Sequence, residues 1–361
     1  MIVHRPIGVC GKVLPGAARR GALASLDYAK SLGLDGIFFR TVLAMSDTLD
    51  PGALQEIRQR ADELGMYLEG GLGKVNPYAS AENPELREIG DGDIVAGFRA
   101  MMQACAAIGV TELWISTANY KTKFANRYAY DRFRTDVSWE EQLAATSRFL
   151  RKLAPIARDL GVHMNMENHE EITSFETLRL IEDVGPDVLG VVFDSSNMLH
   201  RAEHPVAAAE RLGPYVRQTH LKDALAAMAP DGRTVEVASC TCGEGVVDFG
   251  PILDILLTHN PALNLTLEGD PANEDIPRFA RTFKIELGDQ DWLAGHPDLT
   301  AQETQRYLDM VRAFQSSLRG RETTDWAAHF AKPYRESEAV ARIVDSAAHV
   351  RSFLPPESGA A

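Results

Sequence analysis

Hydrophobic and polar positions alternate along this chain in a regular rhythm of two kinds of segment. Helix-like stretches end in a Leu-Gly or Ile-Gly pair and are followed by a short apolar run, as in SLGLDGIFFR, ELGMYLEGG, AIGVTELWIS and DLGVHMNME. Gly33, Gly65, Gly109 and Gly161 suit the left-handed residue that ends a helix, after which the chain turns into the next strand. The rhythm therefore predicts a succession of β/α units.

Four further apolar runs, IGVC, LGVVFD, VRQTHL and LNLTLE, bring the number of predicted strands to eight. Their spacing of roughly 26 to 50 residues leaves room for a helix between each pair of strands. Eight such units favour an α/β fold of the closed (β/α)8 TIM-barrel type. An open doubly wound sheet is the alternative, but it usually has fewer strands, and the chain lacks the GxGxxG and GxxxxGK[ST] signatures of nucleotide binding.

Two stretches depart from this rhythm. Gly-Gly-Leu-Gly at positions 70–73 follows the third predicted strand and is interpreted as a turn. The segment NYKTKFANRYAYDRFRTDVSWEEQ, after the fourth strand, is unusually long, polar and aromatic. Because long loops at the carboxyl face of a barrel often bind ligands or partners, we expect it to form a lid or an interaction surface.

The chain continues well beyond the last predicted strand, so we predict the barrel over residues 1–275 and a helical C-terminal extension over residues 276–361. Thr300-Ala-Gln-Glu303 has the form of a capping box, and an apolar face follows it at helical spacing. This face comprises Tyr307, Leu308, Val311, Phe314 and Leu318, and that of a second helix comprises Val340, Ile343, Val344, Ala347, Val350 and Phe353. We expect both helices to pack on the barrel or on a neighbouring subunit.

Composition narrows the class of protein. With 361 residues, 45% of them hydrophobic and 24% charged, the chain is long enough for one large barrel with an appendage. A formal net charge of −14 argues against nucleic-acid binding, which needs a basic surface. The opening MIVHRPIGVCGKV has no apolar run typical of a signal peptide or membrane span, so we expect a cytoplasmic protein that binds no membrane. The four cysteines are interpreted as reduced thiols.

Polar residues stand at the ends of four apolar runs, HMNMENH, LGVVFDSS, VRQTHLKD and LNLTLEGD, where the strands should stop. They are Glu167, Asp194, His220 and Glu268. The carboxyl ends of parallel barrel strands open onto one face, so these side chains can converge despite their separation in sequence. Three carboxylates and one imidazole suit one divalent metal ion, Mn²⁺ first, with Mg²⁺, Co²⁺ or Zn²⁺ as alternatives. Taken singly, such residues are often helix caps or satisfied polar groups.

Further candidates stand close to strand ends. Lys222 follows His220 by two residues on the same side of the strand, where it could hold a substrate oxygen or a developing negative charge; a surface ion pair is the alternative. Arg40 and Glu69 end or nearly end the second and third strands and are expected to bind substrate. Trp114 in the fourth strand is interpreted as core packing.

The segment from about Gly161 to Asp270 resembles the xylose-isomerase-like TIM-barrel superfamily of sugar isomerases and epimerases. The motifs that carry the resemblance are MENHEEITSFETLRLIEDVG, VVFDSSNMLHRAEHPVAAAERLGPYVRQTHLKD, CGEGVVDFGPILDIL and LEGDP. Their order and spacing are more specific than any one of them. The rest of the chain follows the superfamily in strand rhythm only.

The resemblance implies roles for the strand-end residues. In that superfamily, the residues that correspond to Glu167, Asp194, His220 and Glu268 bind one divalent metal ion. In the ketose 3-epimerase branch the two glutamates also move the substrate proton, which implies that Glu167 and Glu268 are an acid/base pair. A metal ion on two adjacent substrate oxygens acidifies the C–H between them and stabilises the resulting enediolate.

The residues beside this quartet match the superfamily less evenly. Glu-Asn-His is common at this strand end, so the resemblance implies that His169 is a further acid/base group and that Asn168 contacts substrate; a solvated loop is the alternative. Asn197 stands where the ketose 3-epimerases carry a substrate-contacting His. We still expect Asn197 to contact the substrate, although it differs from the His of the ketose 3-epimerases.

Two classes of function follow from the resemblance. The first is a metal-dependent isomerase or epimerase acting on a carbohydrate. The second is a lyase on the same scaffold, similar to inosose dehydratases or to the large subunits of C-glycoside deglycosidases, in which the same enolate expels a leaving group. We expect a homo-oligomer or a small partner subunit. A DNA-repair endonuclease of similar fold would need three metals and a basic face, and a purely binding barrel would not need the four ligands.

Overall fold

The computed structural model describes residues 5–80, 83–118, 121, 124, 126–269, 273–277, 283–317 and 333–355. Its centre is an eight-stranded parallel sheet in the predicted order. The strands are β1 (Ile7–Cys10), β2 (Gly36–Phe38), β3 (Tyr67–Lys74), β4 (Glu112–Ser116), β5 (His163–Glu167), β6 (Leu189–Asp194), β7 (Val216–His220) and β10 (Leu265–Leu267), with β8 (Asp223–Met228) and β9 (Thr234–Cys240) forming a hairpin between the last two.

The sheet curves into the barrel that the sequence predicts. Each strand pairs with the next, and β10 pairs in parallel with β1 through Ile7 and Leu265. A parallel bridge between Leu221 and Leu267 joins the remaining edge, between β7 and β10. The carboxyl ends of all eight strands therefore face one rim, where functional residues of TIM barrels lie.

Helices cover the outside of the barrel. They are α1 (Ala22–Ser31), α2 (Pro51–Glu63), α3 (Pro84–Ile89), α4 (Ile94–Ala107), α5 (Trp139–Leu160), α6 (Ser174–Val184), α7 (Pro205–Leu212) and α8 (Phe249–His259). Gly33, Gly65, Gly109 and Gly161 have φ of 75°, 62°, 70° and 64° at or just beyond four helix ends, as predicted. A Cβ on any of them would meet open space. The left-handed backbone conformation, and not crowding, therefore favours glycine there.

The glycine-rich segment at 70–73 lies inside β3, so its interpretation as a turn is wrong. A Cβ on Gly71 would come within 2.6 Å of the carbonyl oxygens of Arg40 and Trp114, in the neighbouring chain segments. The register with β4 also shifts between Gly71 and Gly73. Close approach of adjacent backbones requires the small residue, and the strand continues through it.

The C-terminal part adds strands as well as the predicted helices. These elements are β11 (Asn273–Pro277), β12 (Phe283–Glu286), α9 (Gln290–Ala294), α10 (Ala301–Ser317), β13 (Pro333–Tyr334) and α11 (Glu336–Arg351). β12 pairs antiparallel with β9 and extends the hairpin, while α10 packs on β8. Thr300 caps α10, because its Oγ1 accepts a hydrogen bond of 3.2 Å from the Glu303 backbone N–H. The expected position Leu318 lies outside the described residues.

Helix α11 lies against β1 and β10. Ile343, Ala347 and Val350 are buried in the same hydrophobic core as the barrel strands, whereas Val344 and Phe353 are exposed. The helix therefore occupies the outer position that follows the last barrel strand, although it comes late in the chain. A boundary near residue 275 stays a prediction. No helix among the described residues combines the length and the apolar character that a membrane span requires.

Candidate metal centre and active site

The four strand-end residues converge at the rim of the barrel. Glu167, Asp194 and His220 end β5, β6 and β7, and Glu268 follows β10. One potential ligand atom from each lies within 4.8 Å of those from the other three. Two oxygens on opposite sides of an ion such as Mg²⁺, each at about 2.1 Å, are about 4.2 Å apart. Small side-chain adjustments would therefore let all four reach one ion.

Neighbouring side chains hold Glu167 in place from both sides of its carboxylate. The Trp114 Nε1–H donates to Oε2 over 2.7 Å, and the Asn197 amide donates to Oε1 over 3.2 Å. Nδ1 of His220 lies 3.2 Å from the same Oε1. All four residues are buried, so these contacts fix the orientation of the carboxylate relative to the cavity.

Two lysines contact the other carboxylates. Nζ of Lys222 lies 2.9 Å from Oδ2 of Asp194 and 3.1 Å from Oε2 of Glu268, so it bridges two of the predicted metal ligands. Nζ of Lys12 donates to the other oxygen of Glu268. Formally, Lys12 and Lys222 therefore balance two of the cluster's three negative charges.

Burial and the neighbouring cationic groups shift the pKa values of the three carboxyl groups in different directions. Burial opposes ionisation of Glu167, but His220 and His169 outweigh it and hold the pKa of this carboxyl below its ordinary value. Burial likewise opposes ionisation of Glu268, and Lys12, Lys222 and His220 hold its pKa well below the ordinary range. For Asp194, burial wins against Lys222 and raises the pKa to about 7. The two glutamates are thus the acids that these neighbours keep ionised.

The residues also meet the chemical requirements of a divalent cation. Asp194 Oδ2 is buried, and the Lys222 ammonium 2.9 Å away is its cationic neighbour. Potential ligand atoms from three carboxylates and one imidazole lie within 4.8 Å of one another. This set of donors makes the cluster a fitting site for a hard or borderline metal ion.

His169 forms a second polar unit at the cavity. Its Nδ1 lies 2.6 Å from Oε2 of Glu171, whose Oε1 accepts a hydrogen bond from Thr117. Burial lowers the pKa of the imidazole, but Glu171 and the nearby Glu170 outweigh it and raise that pKa to about 10. His169 is therefore held as an imidazolium near neutral pH.

A cavity of about 250 Å³ opens above the cluster. Its lining is mostly polar and combines both charges with two aromatic rings. The lining residues are Cys10, Lys12, Phe38, Arg40, Trp114, Glu167, His169, Glu170, His220, Lys222, Glu268 and Gly269. A monosaccharide-sized ligand in this cavity would meet the cluster, His169 and both lysines.

The structure brings Arg40, His169 and Lys222 to this cavity, as the sequence predicts, but places two predicted substrate contacts elsewhere. Glu69 lies lower in the barrel, where it accepts hydrogen bonds from Asn264 over 3.0 Å and Thr266 over 2.8 Å. Asn168 exchanges two hydrogen bonds of 2.8 Å with the backbone of Asp194. Both side chains are buried and do not line the cavity. Their polar groups are instead hydrogen-bonded to other strands, those of Glu69 to residues at the start of β10 and those of Asn168 to Asp194 of β6.

Asn197 and Trp114 also differ from their sequence-based interpretations. The Asn197 amide contacts Glu167 instead of lining the cavity, so it acts on a predicted ligand. Trp114 does pack with Phe38 and Val192, yet its indole N–H faces Glu167 and its ring lines the cavity. The sequence does contain a signal for this role, because Trp114 stands near a strand end and its indole carries an N–H donor that needs a partner when it is buried.

Lys12 is a cavity residue that the sequence reasoning missed. It lies two residues after the end of β1, in a short 3-10 helix, and its ammonium contacts Glu268. The strand-end rule that selected the other site residues applies to it equally.

The long segment after β4 is only partly described. It includes two short 3-10 helices, Asn126–Ala129 and Asp131–Phe133. Arg132 is buried, forms an ion pair of 2.7 Å with Glu176 and also donates to the Gly295 carbonyl. The segment therefore connects the barrel to the C-terminal part. Its expected role as a lid or interaction surface stays a prediction.

Comparison with known proteins places the chain among TIM-barrel proteins. A family model described as xylose isomerase-like TIM barrel matches residues 26–284. The uncharacterized protein YihM of Escherichia coli K12 is 30% identical over 142 residues, which are 38% of this chain and 41% of that protein. The match therefore spans less than half of that relative's length.

Two relatives have named activities. A 3-oxo-isoapionate decarboxylase of Pectobacterium atrosepticum is 21% identical over 248 residues, which are 69% of this chain and 77% of the relative. An inosose dehydratase of Clostridium beijerinckii is 26% identical over 160 residues, which are 41% of this chain and 52% of the relative.

Solved structures agree with the architecture. A D-psicose 3-epimerase crystallised with D-fructose superposes with a TM-score of 0.55 at 17% identity, covering 86% of this chain and 99% of the epimerase. A Mycobacterium smegmatis protein described as a xylose isomerase-like TIM barrel in complex with magnesium has a TM-score of 0.56 at 16% identity, covering 85% and 98%. At these identities the similarity shows the shared fold.

Proposed function

We propose that this chain, which belongs to the xylose isomerase-like TIM barrel family, is a divalent-metal-dependent isomerase or epimerase of sugars. The observation that carries the proposal is the convergence of Glu167, Asp194, His220 and Glu268 within 4.8 Å of one another, beside a polar cavity that all of them except Asp194 line. The family includes enzymes with this chemistry, and the printed activity of the structurally similar D-psicose 3-epimerase belongs to the same class.

Glu167, Asp194, His220 and Glu268 are the residues that would hold the ion. When bound, a divalent ion supplies a Lewis acid that polarises the substrate oxygens and favours negative charge on them. Mn²⁺ is our first choice, because three oxygen ligands and one nitrogen suit a cation of intermediate hardness. The magnesium complex of the Mycobacterium smegmatis protein supports a divalent ion in this family.

Glu167 and Glu268 would transfer the proton. Both line the cavity, and their neighbours hold their pKa values below the ordinary range, so each is available as a base. One carboxylate would remove the proton from the carbon beside the substrate carbonyl and, now protonated, would return it to the adjacent carbon in an isomerase. In an epimerase the other glutamate would first take up a proton from solvent and then deliver it to the opposite face. Trp114 and Asn197 orient Glu167 for this step, as Lys12 and Lys222 orient Glu268.

Two cationic groups would stabilise the enediolate that proton removal creates. The ammonium of Lys222 lies in the cavity wall, where it could approach a developing oxyanion. His169 is held protonated by Glu171 and could donate a hydrogen bond or a proton to a substrate oxygen. Exclusion of bulk water by the buried walls would strengthen both interactions.

A lyase is the second candidate, and the named relatives favour it. The match to the 3-oxo-isoapionate decarboxylase covers 77% of that enzyme, and the inosose dehydratase is also a lyase. Loss of carbon dioxide from a 3-oxo acid, or removal of a proton next to a carbonyl, yields the same kind of enolate. The same cluster and cationic groups would therefore serve either reaction.

Isotope exchange separates the two classes. The Mn²⁺-loaded protein is incubated in D₂O with a panel of ketoses, inososes, 3-oxo-glycosides and 3-oxo sugar acids, and products are followed by NMR. Deuterium incorporation at one carbon without loss of a group supports an isomerase or epimerase. Release of water, carbon dioxide or an aglycone supports a lyase. The proposed chemistry is refuted if the active-site variant Glu268→Gln matches the wild-type protein on every substrate that reacts.

A further inference from the structure

The side chain of Asn168 continues the pairing of β5 with β6 beyond the end of β5. The register of the two strands ends at Glu167, which pairs with Val192. Asn168 is the next residue, and its carboxamide bonds to the backbone of Asp194: its N–H donates to the carbonyl oxygen and its Oδ1 accepts from the N–H, each over 2.8 Å. A carboxamide carries the donor and the acceptor of a peptide group, so it can take the place of one between two strands. Asn168 therefore ties the last residue of β6 to β5.

The side chain of Asp194 is held as well. Its Oδ1 accepts hydrogen bonds of 2.9 Å from the backbone N–H groups of Ser196 and Asn197, where the chain turns into a 3-10 helix. Its Oδ2 lies 2.9 Å from the ammonium of Lys222, which also contacts Glu268 of the cluster. The turn therefore sets the direction of the carboxylate, and Asn168 sets the position of the backbone that carries it.

These bonds connect two of the predicted metal ligands. Asn168 follows Glu167 directly in the chain, so its bonds to Asp194 fix the backbone positions of the two acids relative to each other. Asn168 and Asp194 are 1% and 0% exposed, so water does not compete for these bonds. Oxygens bind an ion such as Mg²⁺ at about 2.1 Å in near-ideal geometry, so a shift of one backbone against the other would take an oxygen out of reach.

We propose that Asn168 is a positioning residue of the metal centre, which holds Asp194 at the height where its carboxylate and that of Glu167 reach one ion. The inference rests on the proposed function, because it requires the cluster to bind a divalent ion. It gives Asn168 a role other than the substrate contact that the sequence predicts. Residues that orient metal ligands through hydrogen bonds typically contribute about tenfold to a hundredfold to the affinity for the metal.

Thr219 offers a matched control, because it forms the same kind of link between two other backbones. Its Oγ1 accepts from the Thr266 N–H over 3.0 Å and donates to the Asn264 carbonyl over 2.9 Å, joining β7 to the start of β10. Thr219 precedes a predicted ligand, as Asn168 follows one, but neither backbone to which it bonds belongs to a ligand. Asn168→Leu and Thr219→Val each remove one donor and one acceptor with little change of shape.

Calorimetric titration of the metal-free protein with Mn²⁺ measures the effect on the site, and urea unfolding followed by circular dichroism measures the effect on the fold. Asn168→Leu should bind Mn²⁺ at least about tenfold more weakly than wild type, and Thr219→Val less than about threefold more weakly, although the two variants lose similar stability. Asn168→Ala is a second variant with the same expectation, should the leucine not be accommodated. Unchanged Mn²⁺ affinity in the Asn168 variants, or an equal loss in Thr219→Val, would overturn the proposal.

A double-mutant cycle with Asp194→Asn tests whether Asn168 acts through Asp194. This substitution keeps the backbone groups that Asn168 binds but replaces the carboxylate. If Asn168 acts by positioning that carboxylate, Asn168→Leu should cost less than about threefold in Mn²⁺ affinity in this background, because the two changes then share one effect. A second loss of about tenfold would mean that Asn168 acts on the site by another route, which contradicts the positioning role.

The wild-type titration separates this inference from the proposed function. Asn168→Leu that binds Mn²⁺ as tightly as the wild-type protein refutes only the positioning role and leaves the metal site intact. Wild-type protein that binds none of Mn²⁺, Mg²⁺, Co²⁺ and Zn²⁺ refutes the metal dependence of the proposed function, and the inference with it.

Discussion

The indole of Trp114 offers a test of how the site holds its glutamate, because its N–H is the shortest hydrogen-bond contact of Glu167. Trp114→Phe keeps an aromatic ring beneath Arg40 but removes this donor. Oε2 of Glu167 would then stay buried without its 2.7 Å partner. Leaving such a charged, buried acceptor unsatisfied costs about 1–3 kcal/mol of unfolding free energy.

The chain contains a matched control for this substitution. Trp139 is also buried, but its Nε1 makes no hydrogen bond within the described part of the protein. Trp139→Phe therefore removes a similar volume and an indole N–H without breaking such a bond. We expect a smaller loss of stability, within the ~1 kcal/mol typical of a conservative core change.

Urea unfolding of the metal-free proteins, followed by circular dichroism, measures both variants under the same conditions. Trp114→Phe should lose at least about 1 kcal/mol more than Trp139→Phe. It should also lose turnover on any substrate identified, roughly tenfold or more, because the carboxylate is no longer held in one orientation. Equal losses of stability in the two variants, with turnover unchanged in Trp114→Phe, would refute the role given to this hydrogen bond.

Three further predictions concern the cluster and a buried acid remote from it. Glu268→Gln should stay folded by circular dichroism yet lose at least about a hundredfold in turnover, since it lacks the acid/base group; near-normal turnover contradicts that role. EDTA should abolish activity and added Mn²⁺ restore it, and indifference to both in a turnover assay excludes metal dependence. Burial, opposed by Ser174 and Arg211, raises the pKa of Glu203 from 4.5 to about 7, so its protonated form is favoured in the folded state. The free energy of unfolding of the wild-type protein should therefore fall as the pH rises from 4.5 to 7 and stay low above pH 7. Glu203→Gln lacks this titrating group, so in urea unfolding its free energy of unfolding relative to wild type should increase by about 2 kcal/mol between pH 5 and pH 8. A difference that does not change with pH would contradict the raised pKa.

The sequence by itself determined the barrel and the positions from which its site is built. Helix-ending glycines such as Gly33 and Gly161 could be recognised because a positive φ is a local requirement, and their φ values agree. Apolar runs that end in Glu167 or His220 predicted the rim, because parallel strands in a closed barrel present their carboxyl ends on one face. These inferences use local conformation and one general property of the fold.

Only the tertiary structure decided which neighbours each of these residues contacts. Lys12 and Glu268 are 256 positions apart, and Trp114 and Glu167 are 53 apart, so no local pattern relates them. Glu69 was expected near a strand end, but it is the third of the eight residues of β3 and bonds to Thr266 of β10, whereas Asn168 directly follows β5 and bonds to Asp194 of β6. Packing between strands decides how high in the barrel a side chain lies, which rotamer it adopts and which of several partners it bonds to. These contacts join residues that are distant in the sequence, so they become visible only in the folded structure.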